Sequence, residues 1–126
     1  MILRTWLAGT LLVLSGAATV GVAGPPAEHQ GPAERPFSLV ARRYTFSPAR
    51  LEVFEGDLVR IELRTADIAH SFTVDDYRIS KRVSPGQVVT FEFRAERPGT
   101  FRFYCELKAE DGCRQMHGDL VVKPVP

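Results

Sequence analysis

SPGQVVTFEFRAERPGTFRFYC, residues 84–105, contains two runs in which apolar and polar side chains alternate. Val89, Phe91 and Phe93 take turns with Thr90, Glu92 and Arg94. Phe101, Phe103 and Cys105 take turns with Arg102 and Tyr104. Side chains of an extended chain point alternately to opposite faces, so each run reads as a strand with one buried and one wet face. The Pro98-Gly99 pair between the runs marks a turn.

The same period extends outward. Val59, Ile61 and Leu63 alternate with Arg60, Glu62 and Arg64, and Leu51/Val53, Phe72/Val74 and Leu120/Val122 repeat the theme more briefly. Turn signals separate the runs at Ser47-Pro48, Glu55-Gly56-Asp57, Ser84-Pro85-Gly86 and Asp111-Gly112. Short strands at this spacing, with no long helical stretch, predict an all-β sandwich or barrel. No internal repeat is visible. Glu106–His117 is the one long connection without strand alternation, and it holds most of the unusual residues. Loops set on a rigid sheet are where function concentrates.

With 126 residues, of which 44% are hydrophobic and 10% aromatic, the chain can bury a core, and global disorder is excluded. Charge is balanced: with Arg4 set aside, fifteen basic residues face fifteen acidic ones. No basic field exists to hold nucleic acid or an anionic membrane surface.

Residues 1–24 read as a secretory signal or an uncleaved membrane anchor. Arg4 is the single charge, Thr5–Val22 is almost wholly apolar or small, and Ala23 or Gly24 offers a cleavage point before Pro25-Pro26. Membrane contact is expected only through this segment, if it is retained. Residues 25–36, PPAEHQGPAERP, read as a linker that carries a solvated His29. Residues 37–126 are left as one small domain, placed outside the cytoplasm in the periplasm or an equivalent compartment, where disulfides form.

Four donors stand out in that domain: His70, Cys105, Cys113 and Met116. Cysteine, imidazole and thioether suit copper, especially Cu(I), and do not suit calcium or magnesium. Zinc would want a fourth strong ligand, and a thioether is a poor one. Each residue also has a plainer reading. Two cysteines in an exported domain most often pair as a disulfide, His70 could be a packing residue, and Met116 could be core filler.

Taken together, these motifs resemble the cupredoxins, the copper-binding β-sandwich family. DIAHSFTVDDY is similar to the strand that delivers the first histidine ligand in the copper domains of cytochrome oxidase subunit II and nitrous oxide reductase. PG-T-F-x-F-Y-C resembles the strand leading to the ligand loop, and GDLVV the strand that follows the ligand methionine. The resemblance covers Phe37–Val122. It implies an antiparallel Greek-key sandwich of about seven strands, with one copper ion held by His70, Cys105, Cys113 and Met116. In the family's loop a histidine lies eight residues after the cysteine and a methionine three beyond. Cys113 occupies the histidine position and Met116 the methionine position.

Two departures matter. The dinuclear version of the site carries a second bridging cysteine four residues after the first, and that position here is Ala109. The ordinary mononuclear site uses two histidines, and the second is replaced by Cys113. His117 neighbours Met116, and in an extended segment the two point opposite ways. The resemblance implies Met116 inward and His117 outward; the swap, with His117 as ligand, is the alternative, because ligand loops need not be regular strand. Two thiolates favour Cu(I), whereas Cu(II) beside them tends to oxidise them to a disulfide. The implied function is electron transfer or Cu(I) carriage with a redox or copper-delivery protein as partner. The pair could also act as a dithiol/disulfide switch on metal binding. The alternative is a metal-free module stapled by Cys105–Cys113, serving in binding or assembly. No paired carboxylates or nucleophile–base arrangement suggests an enzyme.

Overall fold

The alternating runs fold as strands. The structure, a computed structural model, describes residues 9–21, 31–109 and 111–126. Its elements are β1 (Glu34–Arg42), β2 (Thr45–Ser47), β3 (Arg50–Phe54), β4 (Leu58–Thr65), β5 (His70–Val74), β6 (Ile79–Val83), β7 (Val89–Arg94), β8 (Gly99–Tyr104) and β9 (His117–Lys123). Short 3₁₀ turns occupy Asp75–Tyr77 and Asp111–Gln115. One sheet runs β2-β1-β4-β7 and the other β3-β9-β8-β5-β6.

The predicted inward residues form the core between the sheets: Val59, Ile61 and Leu63 from β4, Leu51 and Val53 from β3, Leu120 and Val122 from β9. Rings from four segments join them. Phe72 stacks on Phe103 at 4.9 Å, and Phe46 meets Phe103 edge-on at 5.2 Å. Phe91 closes the group 5.5 Å from Phe72. Such contacts add to plain area burial and fix how the sheets face each other.

The all-β sandwich is as expected, and three details differ. Nine strands are present among the described residues, not about seven, because β2 is too short to show a period and β6 carries three polar residues in a row, Ser80, Lys81 and Arg82. The sheets are mixed, not antiparallel: β1 lies parallel to β4 and β3 parallel to β9. Alternation reveals which side chains are buried, and parallel and antiparallel partners bury the same ones. Third, β1 starts at Glu34, inside the stretch expected to be linker. Pro36 is tolerated there because β2 pairs only with Val40–Arg42, which leaves one side of β1 open at Pro36. Buried Asp57 pins this entry: its carboxylate accepts from the Ala33 amide (3.0 Å), the Phe54 amide (2.9 Å) and Arg35 Nε (3.0 Å).

Of the segment expected to be a signal or anchor, residues 9–21 are described and carry no helix or strand. No described helix is long and apolar enough to cross a membrane. The expected cleavage point and His29 lie outside the described residues.

Candidate metal centre

Three chain segments meet at one end of the five-stranded sheet. β5 begins with His70, and β8 ends at Tyr104, just before Cys105. These strands are antiparallel neighbours, so the start of one and the end of the other lie together. β9 enters opposite Tyr104 at His117, which sets Met116 beside Cys105.

Backbone hydrogen bonds lock the arrangement. The Cys105 amide donates to the Met116 carbonyl (3.2 Å), and the Met116 amide to the Cys113 carbonyl (3.1 Å). The Ser71 amide donates to Cys105 Sγ at 3.4 Å, which ties the sulfur to the residue after His70. The Glu106 amide donates to Ser71 Oγ at 2.7 Å. His70, Cys105, Cys113 and Met116 are all at most 1% exposed, so a centre built from them is closed to water. His117 is exposed.

Cys105 and Cys113 form a disulfide, with Cα atoms 5.1 Å apart. The 3₁₀ turn Asp111–Gln115 carries Cys113 to this position and packs under Tyr44. A Cβ on Gly112 would come within 2.4 Å of the Tyr44 ring. With both sulfurs bonded, no group of three or more His, Cys, Asp or Glu side chains among the described residues is arranged to hold an ion. In this oxidised state the donor set does not fit copper, because the thiolates it needs are absent.

His70 tells more. Its Nε2 lies 2.8 Å from Asp67 Oδ1, while its Nδ1 is buried and has no hydrogen-bond partner. Asp67 also accepts from the Arg43 amide (2.8 Å) and the Ile68 amide (2.6 Å). Burial pushes its carboxyl up, but the Arg43 amide, His70 and the Ile68 amide outweigh that and hold it well below the usual carboxylate range. An ionised carboxylate only accepts, so Nε2 carries a proton, and in the neutral imidazole the lone pair then sits on Nδ1. A buried nitrogen lone pair without a donor is the position of a ligand atom, and the carboxylate behind the ring is the usual support of a ligating histidine. Reduced, the two cysteines would add two sulfurs to a donor set with this nitrogen and the Met116 thioether, all from segments at the same end of the sheet. That set does fit a soft ion.

Sequence reasoning missed Asp67. Its only trace was an acid three residues before His70, a spacing with no periodic meaning in an extended segment. It also gave no sign of Tyr44, which covers the cysteine loop from the far sheet.

A family model described as a cupredoxin-like domain matches residues 8–122. Over 93 residues the chain is 31% identical to cytochrome c oxidase subunit 2 of Thermus thermophilus, a match covering 74% of this chain and 69% of that protein. The periplasmic domain of subunit II of cytochrome oxidase from Bradyrhizobium japonicum has the same fold, with a TM-score of 0.63 at 13% identity over 71% of this chain and 83% of that one. A further structure with this fold is a mixed disulfide intermediate between a thioredoxin-like protein and subunit II of cytochrome c oxidase, with a TM-score of 0.60 at 15% identity over 83% of this chain and 88% of that one.

Proposed function

The chain belongs to the cupredoxin-like domain family, and from that premise we propose that it is an exported copper protein, a carrier and not a catalyst. Its ligands are His70 Nδ1, Cys105, Cys113 and Met116, available once the two cysteines are reduced. Bound copper would supply one-electron transfer or travel as Cu(I) to a redox or copper-delivery partner.

The observation that carries this reading is the buried Nδ1 of His70, which has no hydrogen-bond partner, in the residue next to Ser71, whose amide donates to the Cys105 sulfur. The chain's own residues divide the work. Asp67 orients the imidazole, the Ser71 amide polarises the Cys105 sulfur, and the sandwich end excludes water. Cys113, standing where the family places a histidine, makes copper binding depend on thiol state. As a dithiol the pair offers two sulfur ligands, and as a disulfide it offers none. Mixed-disulfide chemistry of a subunit II with a thioredoxin-like protein supports the same kind of reductant for this pair.

The test is a copper assay and a free-thiol count on one exported sample, before and after reduction. One copper per reduced chain, and none per oxidised chain, is expected. Cys105→Ser should abolish binding, and His29→Ala should leave it intact. Equal copper loss in both variants would move the metal to the N-terminal tail. The disulfide itself favours a second reading, a metal-free module stapled by Cys105–Cys113. A reduced chain that takes no copper would establish it.

A further inference from the structure

The sandwich end that holds His70 carries a shallow pocket of about 240 Å³, lined by Ile68, Ala69, Leu107, Ala109, Arg82 and Lys108. Ile68 and Ala69 come directly before His70, and Leu107 follows Cys105 by two residues. The lining is apolar apart from two exposed cations. β6 pairs with β5 so that Arg82 stands opposite Ser71, and Val83, opposite His70, is buried. Among the described residues no salt bridge involves Arg82 or Lys108. Two carboxylates of the adjoining described segments are engaged elsewhere: Asp67 by the Arg43 and Ile68 amides and His70, Glu106 by Ser80 Oγ.

We propose that this pocket is the docking point for a partner protein that inserts an apolar side chain flanked by carboxylates. Three features select that occupant. At about 240 Å³ the pocket falls below the size that encloses a drug-sized cofactor, roughly 300–1,000 Å³, but admits a side chain. Its apolar surface gives an aliphatic anchor something to cover. Its two cations select acidic flanks and would reject a basic partner face. The whole chain carries a formal net charge of only +1, so this preference is local and does not come from a global field. The partner's role as electron or copper recipient rests on the copper reading above, since a protein seated here lies against the chain segments leading to both His70 and Cys105.

The test uses the metal-free, disulfide-bonded full chain, so it does not depend on copper. The probes are two blocked tripeptides, Asp-Leu-Asp and Lys-Leu-Lys, titrated into isotope-labelled protein and followed by amide NMR. Asp-Leu-Asp should give saturable shifts at Ile68, Ala69, Leu107 and Lys108. Lys-Leu-Lys should give none there. The double variant R82E/K108E changes two exposed side chains, and its amide dispersion checks that it folds. It should bind the acidic peptide at least tenfold more weakly. No shifts with Asp-Leu-Asp, or equal shifts with both peptides, would overturn the proposal. So would the same shifts from sodium acetate alone, which would reduce the pocket to an anion site. Shifts that follow protein concentration without peptide would assign the surface to a second copy of the chain and also overturn it. A protein that binds Asp-Leu-Asp but takes no copper on reduction would leave this surface standing and remove only the metal reading.

Discussion

His70 shows how one side chain can be both core and candidate ligand. A fully buried imidazole needs a partner for each ring nitrogen, yet only Nε2 has one. Removing Asp67 should therefore act twice. Asp67→Ala leaves Nε2 without its acceptor, at a cost of about 1–3 kcal/mol, and frees the ring to change tautomer. Metal affinity should fall by roughly 10–100-fold, as when a ligand's supporting carboxylate is lost. A copper competition titration reads the affinity, and the ¹⁵N shifts of the His70 ring read the tautomer without metal. An unchanged tautomer would mean that Asp67 does not orient the ring. Cys113 allows a sharper test. Cys113→His should give two imidazoles, one thiolate and one thioether, a set with no second thiol to form a disulfide within the site. Loaded with Cu(II), the variant should show an intense visible thiolate-to-copper band, while the parent bleaches or resists loading. A colourless, strongly destabilised variant would defeat the ligand assignment. His70, Cys105, Cys113 and Met116 were all legible in the sequence, because their chemistry is rare in this chain and their spacing is distinctive. Asp67 was not, since one acid among many carries no mark until the fold turns it toward a ring.

The elements owe their register to a few tight contacts. β9 passes so close to β8 and to the β2–β3 connection that Gly118 has no room for a side chain. A Cβ there would lie 2.2 Å from the Phe103 ring and 2.5 Å from the Ala49 carbonyl oxygen. That carbonyl already accepts from the Asp119 amide at 2.9 Å, so the backbone cannot easily move away. Gly118→Ala should cost about 1–3 kcal/mol, as overpacking does, and urea denaturation measures it. β1 depends on Asp57. Burial pushes this carboxyl up, but the Phe54 and Ala33 amides and Arg35 hold it below the usual range. A lowered folded pKa stabilises fully above the ordinary carboxylate value of about 4, and the contribution disappears as pH falls through the folded value. Asp57→Asn should therefore cost roughly 1.5–3 kcal/mol at neutral pH, and the gap to the parent should close in acid. A gap constant down to pH 2 would show that charge is not what Asp57 contributes. In the second half β7 and β8 were readable from alternation and β5 and β9 more briefly, while β6, with Ser80, Lys81 and Arg82 in a row, was not. β1 was partly hidden, because its first residues belong to a Pro- and Gly-rich segment and are held by a buried carboxylate far along the chain.

For the molecule as a whole, the copper reading makes the cysteine pair link stability to metal. The disulfide closes a short loop between β8 and β9, so reduction should lower stability by about 2–4 kcal/mol. For a domain of this size that is roughly 10–20 °C in Tm. If the reduced cysteines join His70 Nδ1 and Met116 as ligands, Cu(I) binds the folded chain and restores what reduction removed. At a free Cu(I) level one hundred times its Kd the gain is about 2.7 kcal/mol, close to the loss. Three melting curves then have a fixed order. The oxidised chain melts high, the reduced metal-free chain melts low, and the reduced chain with Cu(I) returns to near the first. The oxidised chain should not respond to Cu(I). A Cys105→Ser chain should melt near the reduced form with or without Cu(I), which separates ligand loss from simple loss of the bridge. A metal-free module predicts otherwise: reduction lowers Tm equally, and Cu(I) moves none of the curves. On the copper reading the sulfurs hold this end of the sandwich closed in two exclusive ways, by bonding to each other or by sharing an ion. If Cu(I) fails to raise the Tm of the reduced parent, only the first remains.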